Sequence, residues 1–141
     1  MKNLKSFFLG LVLVAAATIV KADDTKTVNL TKTNAVDAYV NAMTLGQNAS
    51  LNDVIDNNAK FNFLHGKQVL SYGKAAMMQY ATENENVRQQ CTTSVSEVES
   101  SDDMSIVKVE MNFGTFVRTN YVTVANTNDG WKITNVYSVF K

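Results

Sequence analysis

The sequence has 141 residues, with 13 basic and 13 acidic side chains, one histidine, one cysteine and no proline. The single cysteine excludes an internal disulfide. One histidine and one cysteine are too few ligands for a dedicated zinc site, so no metal and no cofactor is expected. Basic residues are scattered rather than gathered into a stripe, which argues against nucleic acid as a partner.

Residues 1–22 have the pattern of an export signal. Lys2 and Lys5 precede an apolar run, FFLGLVLVAAATIV, and Val20-Lys21-Ala22 follows the usual spacing of a cleavage site. The apolar run has 14 residues, fewer than the roughly 20 that a membrane-spanning helix needs. We therefore predict cleavage after Ala22 and an exported protein, periplasmic or secreted, that does not remain in a membrane.

The remaining 119 residues would suit one small domain with a single core. Loss of residues 1–22 removes three lysines, which leaves ten basic against 13 acidic side chains, a balance of −3. Residues 23–33 form a polar leader, so we predict the folded domain over residues 34–141.

Two helices are predicted at the start of this domain. Apolar residues recur at helical spacing at Val36, Tyr39, Val40 and Met43. Asn34 is predicted as the N-cap of this helix and Gly46 as its end. Residues 50–53, SLND, repeat the capping pattern and predict a short second helix through Ile55.

A β-hairpin and a third helix follow. Phe61, Phe63 and His65 alternate with other residues, and residues 68–72 also have a strand pattern. Gly66 lies between the two runs. Helical spacing returns over residues 74–83, which predicts the third helix.

Four long strands are predicted after residue 87, over roughly residues 88–99, 104–113, 115–125 and 131–140. The last strand follows a turn signal, Asn128-Asp129-Gly130. This order predicts an α+β fold in which three N-terminal helices pack on a strongly curved, mainly antiparallel sheet.

Three segments carry a family resemblance: AVDAYVNAMTLGQ, NAKFNFLHG and TNYVTVANTNDGWKITNVYSVF. They resemble the nuclear transport factor 2-like superfamily, a cystatin-like cone fold, and within it the bacterial putative lumazine-binding or SnoaL-like group. The resemblance implies three helices closing over a sheet, with a pocket between them. The family pattern often has Asp in the penultimate strand, where this chain has Asn120.

The alternation of the last two strands predicts which side chains face that pocket. Trp131, Ile133, Asn135 and Tyr137 share one face of the last strand. A two-residue turn would place the even-numbered residues of the preceding strand beside them, Arg118 and Asn120 included. In this arrangement Val136 and Phe140 lie on the outer face. The alternative is that Asn135 and Tyr137 are hydrogen-bonded in a filled core, with Arg118 at a solvated edge.

The single histidine, His65, has three possible roles. It can form the corner of the hairpin with Gly66, contact a ligand at the pocket rim, or act as a base. Isomerase chemistry of the superfamily needs a base beside a carbonyl-polarising acid, and no Asp or Glu lies between Lys60 and Lys74. No catalytic residue is therefore assigned.

We expect a binding protein rather than an enzyme, holding a partly aromatic small molecule in the pocket. The predicted ligand-binding residues are Tyr39, Phe63, His65, Arg118, Asn120, Trp131, Asn135 and Tyr137. The alternatives are a small isomerase or dehydratase that uses His65 and a pocket tyrosine, or a dimeric partner-binding module. A homodimer formed through the sheet is expected, since apolar side chains on its outer face would otherwise be exposed.

Overall fold

The computed structural model describes residues 30–141, so the predicted export signal and residues 23–29 of the polar leader lie outside the described residues. The described helices are α1 (Lys32–Leu45), α2 (Leu51–Val54) and α3 (Lys74–Glu83). The described strands are β1 (Ile55–His65), β2 (Gln68–Tyr72), β3 (Thr92–Ser100), β4 (Met104–Asn112), β5 (Val117–Thr127) and β6 (Gly130–Phe140). None of these helices has the length and apolar character needed to cross a membrane.

Helix α1 begins three residues earlier than predicted. The Thr31 side chain caps it by accepting a hydrogen bond from the Asn34 backbone N–H at 3.1 Å. The prediction of Asn34 as the N-cap is therefore wrong. The prediction that Gly46 ends the helix is confirmed: Gly46 has φ 67° and donates its N–H to the Ala42 carbonyl.

The six strands form one sheet in the order β2-β1-β6-β5-β4-β3. All neighbouring strands are antiparallel except β1 and β6, which are parallel. The α+β class and the mainly antiparallel sheet are confirmed. The expectation of strong curvature is corrected, because the sheet is not strongly curled and β2 and β3 remain as its two edges.

A β-bulge in β6 decides which side chains face the helices. The predicted two-residue turn forms at Asn128-Asp129, and Val124 lies opposite Ile133 as expected. The register then shifts past Thr134, so that Thr123 lies opposite Asn135. A one-residue shift moves every later side chain to the other face of the sheet.

Beyond the bulge, Asn120 lies opposite Ser138 and Val122 lies opposite Val136. The prediction that Asn135 and Tyr137 share the face of Ile133 is therefore wrong, and so is the placement of Val136 on the outer face. Val136 is buried in the core, where it belongs to the same cluster as Ile133.

The core lies between the helices and one face of the sheet, here called the helix-covered face. It is built from the buried residues Phe61, Val107, Val109, Met111, Val122, Val124, Ile133 and Val136. Helix α1 packs Ala35, Ala38, Tyr39 and Ala42 against them. Each buried large side chain contributes roughly 1.5–3 kcal/mol to stability. The opposite side, here called the open face, carries Asn62, Lys108, Tyr121, Asn135 and Tyr137.

Candidate ligand-binding site

A cavity of about 460 Å³ lies on the helix-covered face, between the helices and the first strands of the sheet. Helices α1 and α3 contribute Tyr39, Met43, Ala76, Met77 and Tyr80. The β1–β2 hairpin contributes Phe61, Phe63, His65, Leu70 and Tyr72, and the last two strands contribute Arg118, Val136 and Phe140. The volume is within the range of small-molecule sites, and a mainly apolar wall with few polar groups is typical of them.

The cationic group of the wall is the guanidinium of Arg118. Its Cζ lies 5.3 Å from the centroid of the Phe63 ring and 5.7 Å from that of the Phe140 ring. A guanidinium at these distances is attracted by the ring electrons, so the two aromatic side chains stabilise its position.

Asn120 holds Arg118 from beneath the cavity. Its side chain is fully buried (0% exposed). The Oδ1 atom accepts hydrogen bonds from Arg118 Nε at 2.9 Å, from Ser138 Oγ at 2.7 Å and from the Tyr39 hydroxyl at 3.3 Å. Asn120 Nδ2 donates to the Val109 carbonyl at 3.1 Å, which orients the amide. One buried amide therefore positions a cation, a phenol and a serine together.

The Tyr39 hydroxyl is a hydrogen-bond donor at neutral pH. Burial raises the pKa of Tyr39 to about 12, and the nearby Arg118 guanidinium opposes this by lowering it. The side chain is 1% exposed and lies on the buried side of α1. Tyr39 thus keeps its proton near pH 7 and donates it to Asn120 Oδ1 beneath the cavity.

No carboxylate pairs with Arg118 within residues 30–141. The two ion pairs of this part of the chain are Lys32 with Glu97, at 3.2 Å, and Lys108 with Glu110, at 3.3 Å. Arg118 Nη2 reaches Ser138 Oγ only at 3.5 Å, and the guanidinium also hydrogen-bonds the Tyr39 hydroxyl. A guanidinium has five N–H groups, more than these partners and Asn120 use. The guanidinium therefore keeps both its charge and unused N–H donors at the cavity.

His65 is both a hairpin corner and a residue of the cavity wall. It ends β1 opposite Gln68, and the turn between them contains Gly66 with φ 61°. The corner role is therefore confirmed. Its side chain is exposed at the cavity rim, and its role as a base stays a prediction.

The predicted ligand-binding residues fall into three groups. Tyr39, Phe63, His65 and Arg118 line the cavity. Asn120 lies beneath it and contacts two of them. The other three lie elsewhere in the sheet.

Trp131 lies near the start of β6, about 30 Å along the strand from Phe140. Lys32 Nζ lies 5.8 Å from the centroid of its ring. Asn135 lies on the open face and accepts a hydrogen bond from Asn62 Nδ2 at 3.0 Å. Tyr137 lies on the same face, opposite Tyr121. The arrangement of β6 does not bring these three residues to the cavity.

Sequence reasoning missed several lining residues, chiefly Met43, Phe61, Leu70, Ala76, Val136 and Phe140. A signal for the last two was present. Thr134 and Asn135 are two successive polar residues between Ile133 and Val136, and this break in alternation is where the bulge lies.

In the described part of the chain, no three His, Cys, Asp or Glu residues cluster closely enough to hold a metal ion. Among residues 30–141, no Asp or Glu lines the cavity. The functional groups available to a ligand are therefore aromatic and aliphatic surfaces, tyrosine hydroxyls, one imidazole and one guanidinium.

The sequence matches a protein family described as putative lumazine-binding over residues 14–138. The fold is similar to that of an NTF2-like protein of unknown function from Silicibacter pomeroyi, with 20% identity, a TM-score of 0.61, and coverage of 77% of this chain and 90% of the other. No functionally curated protein matches the sequence.

Two further structures share the fold. A cystatin-like fold protein from Burkholderia xenovorans is 18% identical with a TM-score of 0.55, over 74% of this chain and 86% of the other. A putative calcium/calmodulin-dependent protein kinase type II association domain from Thiobacillus denitrificans is 16% identical with a TM-score of 0.57, over 79% and 96%. At these identities the likeness shows the fold alone.

Proposed function

We propose that this chain, which belongs to the putative lumazine-binding family, is an exported protein that binds a partly aromatic small molecule in the cavity. The observation that carries the proposal is the cavity of about 460 Å³, whose wall combines aromatic and aliphatic side chains with one guanidinium that forms no ion pair within residues 30–141. Such a wall favours a ligand with a flat apolar body and a polar group at one end.

The aromatic part of the wall supports a flat ligand. The rings of Phe63 and Tyr72 meet edge to face, with centroids 5.9 Å apart, and Met77 lies on the helical side of the same cavity. Aromatic rings and methionine sulfur both interact favourably with a further ring. Arg118 supplies hydrogen-bond donors, so the ligand's polar end is expected to carry acceptors.

Native mass spectrometry of the protein purified from its own cells tests this proposal. Ala76→Trp would fill the cavity from α3, whereas Ala75→Trp places the same side chain on the neighbouring exposed position, which does not line the cavity. We expect a co-purified small molecule on the wild type and on Ala75→Trp, and none on Ala76→Trp. An adduct that all three proteins retain, or that none of them carries, would contradict the proposal.

A second candidate function is a small isomerase or dehydratase. It is favoured by one observation, that His65 and Tyr39 line the same cavity. His65 would be the base, since no carboxylate of residues 30–141 lines the cavity, and a lining tyrosine would give up its present hydrogen bond or rotate to donate to a carbonyl oxygen. Loss of turnover in His65→Ala with unchanged ligand affinity would favour this enzyme over the binding protein.

We also propose that the protein forms a homodimer through the open face. Tyr121 is 38% exposed there and lies beside Tyr137, so a second copy would cover aromatic surface. The Thiobacillus denitrificans structure of the same fold is named an association domain, which supports assembly as a use of this architecture. Because the cavity is on the opposite face, the dimer would leave it accessible.

A further inference from the structure

We infer that the molecule held in the cavity carries a single carboxylate, and that Arg118 is the residue that binds it. The inference rests on the proposed function, since it assumes that the cavity holds a small molecule. Beyond that function, the inference specifies the charge of the ligand and the residue that recognises this charge.

Position 120 carries a neutral side chain directly beside the guanidinium of Arg118. Arg118 Nε donates to Asn120 Oδ1 at 2.9 Å, and an aspartate at that position would neutralise the guanidinium internally. The neutral amide holds the side chain in place equally well as an acceptor but leaves the positive charge in the cavity wall. No lining residue is acidic, and no carboxylate of residues 30–141 forms an ion pair with Arg118.

A half-buried cation without a counterion is costly, since part of its hydration is lost and nothing replaces it. An anionic ligand supplies that counterion. The guanidinium is also fixed in advance, between the Phe63 and Phe140 rings and above Asn120, so little conformational entropy is lost when the ligand binds.

The number of donors favours a carboxylate over a phosphate. Nε is already committed to Asn120, which leaves the terminal nitrogens of one guanidinium, enough for the two oxygens of a planar carboxylate. A phosphate would bring nearly two negative charges and three acceptor oxygens. Within the described residues 30–141, no lysine and no second arginine lines the cavity to balance them.

Isothermal titration calorimetry with two probes tests the inference. The probes are 2-naphthoate and 2-naphthamide, which share one ring system and differ in charge. We expect the wild type to bind 2-naphthoate at least about tenfold more tightly, since hydrogen bonds between charged groups are about twice as strong as neutral ones. Arg118→Gln should abolish this preference by weakening only the naphthoate.

Two further variants separate charge from folding. Asn120→Asp keeps Arg118 in place but neutralises it, so the preference should disappear there as well. Lys108→Gln removes a positive charge on the open face, away from the cavity, and should keep the preference. Unchanged naphthamide affinity in Arg118→Gln would show that its cavity is folded.

Equal affinity of the wild type for both probes, or a preference that survives both Arg118→Gln and Asn120→Asp, overturns the inference while leaving an aromatic-binding cavity. Failure of both probes to bind at concentrations up to about 1 mM overturns the inference and counts against the proposed function together with it. The two failures are therefore distinguishable.

Discussion

Arg118 and Asn120 lie two residues apart on β5, and the Nε of the first donates to the Oδ1 of the second at 2.9 Å across the floor of the cavity. The same oxygen also accepts from Ser138 on β6 and from Tyr39 on α1. Two neighbouring strands and a helix are thus joined at one buried atom, which makes position 120 important for stability as well as for the charge of the cavity.

Replacing Asn120 with Ala should destabilise the protein. The substitution leaves the Tyr39 hydroxyl, Arg118 Nε and the Val109 carbonyl without their partner, and buried unsatisfied groups of this kind cost about 2–4 kcal/mol in total. Urea unfolding would measure the change. Asn126→Ala, an exposed position on the same strand, is the control and should stay within about 0.5 kcal/mol of the wild type. Equal effects of the two would contradict the role assigned to Asn120.

Stability should fall between pH 10 and pH 12 because of Tyr39. Its pKa is about 12 in the folded protein and about 10 when unfolded, so the unfolded chain loses the proton first. The stabilisation is complete below pH 10 and is lost as pH rises through the folded pKa, by about 2–3 kcal/mol in all.

Comparison with Tyr39→Phe isolates this effect, because all other groups titrate in both proteins. As pH rises from 10 to 12, the unfolding free energy of the wild type should fall by that amount relative to the unfolding free energy of Tyr39→Phe. A difference that does not change with pH would show that Tyr39 ionises normally in the folded state.

Gly46→Ala should destabilise the protein strongly. Gly46 has φ 67°, and an added Cβ would lie 2.5 Å from the Asn84 carbonyl oxygen and 2.6 Å from the Val87 nitrogen. Backbone strain alone costs roughly 1–2 kcal/mol, and these contacts are with main-chain atoms that cannot rotate away.

Gly73→Ala is the matched control, since Gly73 has φ −91° and no atom within 4 Å of the added Cβ. It should change the free energy of unfolding by less than about 1 kcal/mol. Thermal unfolding of both variants would measure the contrast, and similar melting temperatures would contradict it.

Tyr121→Glu should convert the proposed dimer to a monomer, because it places a charge on the open face where a second copy would lie. Light scattering after size-exclusion chromatography would give the mass. Tyr80→Glu is the control: Tyr80 is similarly exposed, 41% against 38%, but lies on α3, and it should leave the dimer intact. A monomeric wild type would contradict the prediction.

The residue pattern alone predicted the local elements of this protein. The hairpin at His65 and Gly66, helix α3 and the turn at Asn128-Asp129 were all anticipated, and so was the family resemblance. These features depend on residues close together in the chain, through helical or alternating spacing and through the backbone freedom of glycine. Four of the eight predicted ligand-binding residues line the cavity, since they lie outside β6, where no bulge reverses the facing that local spacing predicts.

The tertiary structure decided the rest of the site. The extra residue at Thr134 turned Asn135 and Tyr137 to the open face and brought Val136 and Ser138 to the helix-covered face. That bulge is set by how β6 pairs with β1 on one side and β5 on the other, partners more than 70 residues away or across a turn. Strict alternation continued along the whole strand places these side chains on the wrong face, because a one-residue shift in pairing moves every later side chain to the opposite face of the sheet.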